Sequence, residues 1–240
     1  MRLLCFPYAG GTASLFHSWQ AHFPADIQIC PVELPARAGR INDTMPLSVA
    51  DLVERFLEEA APYLDRPFSV FGHSLGALIA FELARVLKTR RMPSPVRLFA
   101  SACHAPQVFR RPRPIHHLAD SDFVQALREI DGTPDEILAH QELLGVLLPM
   151  LRADFRLADT YRYIPGGPLA CAITAVGGSE DHSISRGDLV AWHSQTTGPF
   201  NLRIVKGTHF FLRSQGNKLA KMIATLLTEQ QSAGIKAGMK

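Results

Sequence analysis

The pentapeptide GHSLG at residues 72–76 constrains the fold of this chain more than any other feature. It follows a short β-prone apolar run at residues 68–71 and precedes a helix-forming segment that begins at Ala77. Between a strand and a helix, G-x-S-x-G is typical of a nucleophile elbow, a tight turn that exposes the central serine at a helix N-terminus. A bare G-x-S-x-G also occurs by chance in ordinary turns. The flanking segments favour the elbow, and we predict that Ser74 is a nucleophile.

Strand-like and helix-like segments alternate along the chain, which predicts an α/β fold with a mostly parallel sheet and helices on both faces. The predicted strands are residues 2–6, 27–32, 67–71, 96–103, 170–176 and 200–205. The predicted helices are roughly residues 14–23, 48–64, 75–90, 186–196 and 213–230. The strands are apolar without polar alternation, as expected of strands buried on both faces. A chain of 240 residues is expected to form a single domain.

A long segment without a predicted strand, about residues 104–165, interrupts this alternation. It contains helical patterns at residues 122–128 and 135–163, and Pro149 should bend or split the second. We predict a helical lid whose apolar face roofs a substrate chamber above Ser74. The residues of that face are Leu143, Leu147, Leu151 and Phe155. The alternative is a helical subdomain packed permanently on the core. Joints near residues 132–134 and 165–168 would let the lid move.

A serine hydroxyl needs a general base, and in this architecture an acid and then a histidine follow the serine after later strands. The sequence GGSEDH at residues 177–182 supplies Asp181, and KGTHFF at residues 206–211 supplies His209. Both segments follow predicted strands, so both side chains are expected at the sheet edge where Ser74 lies. The sequence therefore predicts a Ser-His-Asp triad.

Each member of this predicted triad has alternatives. Glu180 and Asp188 compete with Asp181 for the role of the acid, and His209 would otherwise be a core histidine that caps the last helix. The segment after the strand at 96–103 holds no carboxylate that could replace them. The side chain of His73 must point away from the nucleophile. No histidine has a second ligand at metal spacing, so no metal is predicted.

The oxyanion of the reaction would need two backbone N–H donors. We predict that Leu75, the residue after the nucleophile, supplies one. The other is expected from the glycine-containing loop after the first strand, with Ala9 as the donor and its neighbour Tyr8 as the alternative. An ordinary Gly-Gly turn is the other interpretation of this loop.

Composition argues against several classes of partner. The formal net charge of +3 is small, and no basic run alternates with aromatic residues, so nucleic acid is not an expected partner. No apolar stretch reaches the ~18 residues of a membrane helix, and the apolar N-terminus stops at Pro7, as a first strand would. No cysteine forms a C-x-x-C pair, and we expect reduced thiols in a cytoplasmic protein. The cysteines are Cys5, Cys30, Cys103 and Cys171.

Four segments resemble motifs of the type II thioesterases, the stand-alone editing hydrolases that accompany polyketide synthases and non-ribosomal peptide synthetases. They are FPYAGG at residues 6–11, GHSLGA at 72–77, ELL followed by LPMLRADF within 142–155, and GTHFFL at 207–212. The motifs occur in the family's order and the resemblance covers nearly the whole chain. The chain departs from the family at residues 34–37, which read LPAR where many members have P-G-R after the leucine.

The resemblance implies an α/β-hydrolase fold and, as substrate, an acyl or aminoacyl thioester on the phosphopantetheine arm of a carrier protein. It implies no cofactor, since the substrate carries the phosphopantetheine, and an acyl-loaded carrier protein or carrier domain as partner of a monomeric enzyme. The roles that it implies are Ser74 as nucleophile, His209 as base, Asp181 as acid, and Leu75 and Ala9 as oxyanion donors. The basic segment at residues 109–114 is either a carrier docking site or a solvated loop.

Other activities are compatible with the same triad. A generic carboxylesterase or small lipase would hydrolyse oxygen esters, and an acyltransferase would pass the acyl group from Ser74 to an amine or alcohol. A non-catalytic docking module is disfavoured because all three triad residue types occur in order. The lid motif favours the thioesterase among these alternatives.

Overall fold

A computed structural model describes residues 1–108, 113–130 and 141–238 of the chain. Within them six strands form one sheet in which every neighbouring pair is parallel, in the order β2-β1-β3-β4-β5-β6. The strands are β1 Arg2–Phe6, β2 Gln28–Pro31, β3 Phe68–His73, β4 Arg97–Ser101, β5 Ala172–Gly178 and β6 Phe200–Val205. This arrangement confirms the predicted α/β fold with a mostly parallel sheet of six strands.

Helices connect the strands and cover both faces of the sheet. The α-helices of the described residues are α1 Val49–Ala60, α2 Leu75–Thr89, α3 Asp120–Ile130, α4 Gln141–Thr160, α5 Arg186–Val190 and α6 Phe211–Gly238. Short 3-10 helices are Ala13–Phe16, Trp19–His22, Ala38–Arg40, Ala61–Tyr63 and Ala191–Gln195. Helices α1 and α2 pack on one face, and α6 with the first two 3-10 helices packs on the other.

Strand β1 shows why the strands lack polar alternation. Leu4 and Phe6 belong to the apolar cluster under α1 and α2, whereas Leu3 and Cys5 belong to the cluster under α6. All four side chains are at most 2% exposed. Since each face of the strand meets a helical layer, both sets of positions must be apolar.

The region predicted as one helix at residues 14–23 forms two short 3-10 helices instead. Phe16 and Trp19, three residues apart, are both fully buried. Phe16 ends the first 3-10 helix and Trp19 begins the second, and their rings pack edge-on with centroids 5.0 Å apart. The burial of this pair is satisfied without a continuous α-helix.

Among the described residues, helices α3 and α4 lie between β4 and β5, where the sequence predicts an insertion. Helix α4 is not split at Pro149 but continues through it. Its N-terminal half is exposed, with Val146 at 66%. Its C-terminal half is seated on the protein, with Leu151 at 4% and Leu157 at 0% exposed. The helix therefore tolerates the lost backbone hydrogen bond because one of its ends is held by tertiary packing.

Of the two joints predicted beside the insertion, the one at residues 165–168 falls within the described residues. Residues 132–134 lie outside the described residues, as does most of the basic segment at 109–114. The joint at residues 165–168 is held to α2: Lys88 Nζ donates to the carbonyls of Gly167 and Pro168 at 3.0 and 2.7 Å, and the Arg85 guanidinium donates to the carbonyl of Ile164 at 2.7 Å. These bonds restrain this end of the insertion.

Candidate active site

The turn between β3 and α2 has the backbone geometry of a nucleophile elbow. Ser74 adopts φ 53° and ψ −116°, a conformation that costs an L-residue about 1–2 kcal/mol. A Cβ atom on Gly72 would lie 2.0 Å from the carbonyl oxygen of Gly76, and one on Gly76 would lie 2.3 Å from the carbonyl oxygen of Phe6. Both glycines are therefore required, because the start of α2 packs directly against β3 and the end of β1.

A chain of hydrogen bonds links Ser74, His209 and Asp181. The Oγ atom of Ser74 lies 3.1 Å from His209 Nε2, and His209 Nδ1 lies 2.9 Å from Asp181 Oδ2. An ionised carboxylate only accepts hydrogen bonds, so Nδ1 carries the proton and Nε2 accepts from the serine hydroxyl. In this tautomer the imidazole is oriented to remove the proton of Ser74.

A close approach of two backbone segments brings Asp181 and His209 together. A Cβ atom on Gly178, at the end of β5, would lie 2.4 Å from the carbonyl oxygen of Gly207, so only glycine fits there. The N–H of Glu180 donates to the same carbonyl at 2.9 Å. The turn after β5 is thereby joined to the turn after β6, and each presents one side chain of the predicted triad at the same edge.

The carboxylate of Asp181 is held in its ionised form. Its side chain is 1% exposed, and burial alone would raise its pKa. Hydrogen bonds from His209 and Ser183 outweigh burial and lower the pKa to about 2. The Oδ1 atom accepts from the N–H and hydroxyl of Ser183 at 2.8 and 2.6 Å and from the N–H of Ile184 at 3.1 Å. The oxygen facing away from the histidine is therefore fully hydrogen-bonded.

The rival carboxylates lie elsewhere. Glu180 is exposed to solvent. Asp188 caps helix α5: its Oδ2 accepts from the N–H and hydroxyl of Ser185 at 2.7 and 2.6 Å, and Ser185 Oγ accepts from the N–H of Asp188. Of the three candidates, it is Asp181 that the structure brings to the imidazole of His209.

The predicted oxyanion donors flank the elbow. Leu75 is the first residue of α2, so its N–H has no partner four residues earlier within the helix. The loop after β1 lies against the same helix start, because the carbonyl oxygen of Pro7 would be 2.5 Å from a Cβ on Gly76. This loop contains Ala9. The roles of Leu75 and Ala9 as donors stay predictions.

The structure also bears on the predictions about metal ions, membrane spans and cysteines. Among the described residues no group of three or more His, Cys, Asp or Glu side chains is arranged to hold a metal ion. In the same part of the chain, no helix has the length and apolar character needed to span a membrane. The four cysteines carry free thiols.

A comparison with protein families decides the class of this protein. The family model described as "Thioesterase domain" matches residues 1–227. The chain belongs to the thioesterase family.

Individual relatives of this thioesterase agree with that assignment. The gramicidin S biosynthesis protein GrsT of Aneurinibacillus migulanus is 42% identical over 212 residues, which are 88% of this chain and 83% of GrsT. The thioesterase RedJ from the prodiginine pathway of Streptomyces coelicolor is 35% identical with a TM-score of 0.87, over 93% of this chain and 84% of RedJ. The type II thioesterase BorB from the borrelidin cluster is 34% identical with a TM-score of 0.84, over 93% of this chain and 91% of BorB. The resemblance to type II thioesterases is confirmed.

Sequence reasoning missed the part that His73 plays in this thioesterase. Its side chain is fully buried against the loop that carries His209. His73 Nε2 lies 2.9 Å from the carbonyl oxygen of His209, and Nδ1 lies 3.0 Å from Ser101 Oγ. A carbonyl only accepts, so Nε2 carries the proton and the Ser101 hydroxyl donates to Nδ1. Neutral His73 thus holds the backbone of the histidine loop.

The pH dependence of stability should report this neutral His73. Burial, with a smaller contribution from the charge of His209, lowers its pKa from 6.5 to about 3. Between these values the unfolded chain binds a proton that the folded ring does not, so stability falls as pH drops from about 6.5 to 3. The loss is on the order of 3–5 kcal/mol. His73→Gln, which keeps a side-chain N–H donor, should flatten this limb in urea unfolding measured from pH 7 to 3.

The decisive quantity is the slope of unfolding free energy against pH in the variant and in the wild type, because the substitution itself changes stability at every pH. His104→Gln serves as the matched control, since His104 is only half-buried. A His73→Gln protein whose stability falls with acid as steeply as the wild type would contradict a neutral His73.

The four predicted lid residues lie in different surroundings along α4. Leu143 is 49% exposed and Leu147 is half-buried. Leu151 is buried and its Cδ2 atom would lie 2.6 Å from a Cβ on Gly10, so it packs on the loop after β1. The Phe155 ring packs edge-on against the Phe123 ring of α3 at 5.8 Å. Their role in substrate binding stays a prediction.

Proposed function

We propose that this thioesterase hydrolyses acyl or aminoacyl groups from the phosphopantetheine arm of carrier proteins or carrier domains, as an editing enzyme of polyketide or non-ribosomal peptide synthesis in the cytoplasm. The hydrogen-bond chain from Ser74 through His209 to Asp181 carries this proposal. The relatives support the pathway, since GrsT and RedJ are named for the biosynthesis of gramicidin S and prodiginine. We propose that the enzyme acts as a monomer on an acyl-loaded carrier.

In the first step of the proposed mechanism, Ser74 Oγ attacks the thioester carbonyl while His209 Nε2 takes its proton. The N–H groups of Leu75 and Ala9 stabilise the oxyanion of the tetrahedral intermediate. The carbon–sulfur bond then breaks, and the imidazolium returns its proton to the pantetheine sulfur, which leaves as a thiol. An acyl ester on Ser74 remains.

In the second step a water molecule attacks the acyl ester, and His209 Nε2 takes a proton from it. The ester bond breaks, the proton returns to Ser74 Oγ, and the carboxylic acid is released. In both steps Asp181 stays ionised and stabilises the imidazolium, consistent with its pKa of about 2. The proposed reaction uses no cofactor, because the phosphopantetheine belongs to the substrate.

The test compares kcat/KM for three substrates that bear the same acyl group. They are the thioester of a carrier protein, the N-acetylcysteamine thioester and the p-nitrophenyl ester. Contacts with the carrier and its arm supply binding energy that the small substrates lack, so we expect the carrier-bound thioester to be preferred by about tenfold or more over N-acetylcysteamine. Ser74→Ala on each substrate corrects for background hydrolysis.

Each alternative has its own outcome in this experiment. Equal kcat/KM on the carrier and on N-acetylcysteamine, with fastest turnover of the p-nitrophenyl ester, would indicate a generic carboxylesterase. Acyl amides or esters that form with added amines or alcohols at the expense of free acid would indicate an acyltransferase. Either result would replace the proposed function.

We also propose that the apolar face of α4 roofs the acyl chamber, and Leu147→Trp tests this. In a chamber the larger side chain should shift preference toward shorter acyl groups with little change in melting temperature. In a packed core it should destabilise by roughly 1–3 kcal/mol instead. Val146→Trp is the matched control, since Val146 is 66% exposed on the neighbouring position. An unchanged chain-length profile with a lowered melting temperature would exclude the roof.

A further inference from the structure

A buried ion pair joins helix α4 of the insertion to the core of the protein. Arg37 is 2% exposed and Asp154 is 0% exposed. The guanidinium contacts both carboxylate oxygens, with Nη2 2.6 Å from Oδ1 and Nη1 2.9 Å from Oδ2. Arg37 comes from the loop after β2, where Ala36 and Ala38 hold the left-handed values of φ 63° and 42°. The glycine of the family's P-G-R is absent, but the loop still delivers the arginine.

This ion pair also holds the loop that contains the predicted oxyanion donor. The N–H of Gly10 donates to Asp154 Oδ2 at 2.6 Å, and Arg37 Nη1 donates to the carbonyl oxygen of Gly11 at 2.9 Å. Gly10 has φ 80°, so its backbone is in a conformation that glycine favours. The peptide groups on the C-terminal side of Ala9 are therefore fixed by two charged side chains, one of them from α4.

Stability alone is a poor explanation of the pair. Two charges taken out of water lose their solvation, and apolar replacements of similar volume are often as stable or more stable. The position of the pair suggests a second role. Asp154 by itself would place a negative charge beside the loop where the oxyanion develops, and Arg37 compensates that charge. The pair thus orients the loop without opposing the charge of the transition state.

We propose that Asp154 is a positioning residue for the oxyanion hole and that Arg37 neutralises its charge, so that the hole is complete only while the C-terminal half of α4 is seated on the loop after β1. The inference rests on the proposed function, in which Ala9 supplies an oxyanion donor. Leu151 supports it, since its side chain packs on Gly10 one helical turn before Asp154. The insertion then acts on the chemical step in addition to covering the substrate.

The test uses two double variants, because a single substitution would leave one charge buried and unpaired and would destabilise the fold strongly. The apolar pair is Arg37→Met with Asp154→Leu. The amide pair is Arg37→Met with Asp154→Asn. Both lack the ion pair, but only the amide pair keeps an oxygen that can accept from the N–H of Gly10. The two variants therefore differ in whether the Gly10 N–H has an acceptor at position 154, and both lack the charges of the ion pair.

The readouts are kcat and KM for an acyl N-acetylcysteamine thioester and the second-order rate at which a fluorophosphonate labels Ser74. The apolar pair should lose on the order of 10- to 100-fold in kcat and in labelling rate with KM little changed, as expected of a misplaced catalytic group. The amide pair should stay within about threefold of the wild type. Melting temperatures establish that both variants are folded under the assay conditions.

Equal kcat and labelling rates in the two double variants, whether both high or both low, would overturn the inference, because the acceptor of the Gly10 N–H would then not matter. This failure is distinct from failure of the proposed function. The labelling rate does not depend on which substrate the enzyme serves, so the inference stands if the two variants label differently while carrier thioesters prove to be poor substrates. If fluorophosphonate does not label Ser74 in the wild type, the inference falls with the mechanism.

Discussion

Ser74→Ala is expected to lower kcat for thioester hydrolysis by roughly 10⁴-fold or more while the protein stays folded. The substitution removes the oxygen that lies 3.1 Å from His209 Nε2, so no acyl-enzyme can form. The elbow itself should survive, since its geometry depends on Gly72 and Gly76 and alanine meets the same backbone restriction as serine at φ 53°. Hydrolysis of a carrier-bound thioester and a thermal melt measure the two effects.

Ser69→Ala is the matched control for this prediction. Ser69 lies on β3, the strand that leads into the elbow, is fully buried, and its Oγ atom has no hydrogen-bond partner among the described residues. It should retain wild-type kcat. A fluorophosphonate should label the wild type and the Ser69→Ala protein but not the Ser74→Ala protein. Undiminished labelling or turnover of Ser74→Ala would show that another residue is the nucleophile.

The local parts of the fold and site were predictable from sequence. The close approach of Gly72 to the carbonyl of Gly76 joins residues four apart, and both glycines belong to the G-x-S-x-G motif. The turns that bear Asp181 and His209 follow apolar strands, and parallel strands end at one edge of a sheet. The glycine requirement of the elbow and the common edge of parallel strand ends together predict that the turns bearing Ser74, Asp181 and His209 meet in space.

The ion pair of Arg37 and Asp154 could not be predicted in the same way. Its members are 117 positions apart, and neither lies at a strand end that topology would bring together. Charged residues are rarely buried, so a pattern analysis assigns both to the surface. The only signals were an arginine after Pro35 and an aspartate within an otherwise apolar helix face. Only the packing of α4 on the loop after β1 shows what they contact.

His73 illustrates a different limit. Its neighbour Ser74 dictates that its side chain points away, and that much follows from the alternation of a strand. Which group it then meets depends on the loop after β6, which lies against the His73 side chain. The hydrogen bond to the carbonyl of His209 is thus a consequence of tertiary structure, although both residues lie within recognised motifs.

Asp181→Asn is expected to lower kcat by about 10⁴-fold, as the corresponding change does in serine proteases with this constellation. The amide can donate to His209 Nδ1, which favours the tautomer with the proton on Nε2. That nitrogen could then no longer accept from Ser74, and the imidazolium would lose its anionic partner. Steady-state kinetics on one thioester should show the fall in kcat with KM little changed.

Two other carboxylates provide the controls for this last prediction. Glu180→Gln should be nearly silent, because Glu180 is exposed. Asp188→Asn should weaken the cap of α5 and cost about 1 kcal/mol of stability, but it should leave kcat close to the wild-type value. The pKa of about 2 for Asp181 adds a pH criterion, since a carboxylate ionised throughout the assay range contributes no limb to the profile of kcat/KM above pH 4. A crippled Glu180→Gln enzyme, with Asp181→Asn active, would show that the acid is the neighbouring residue.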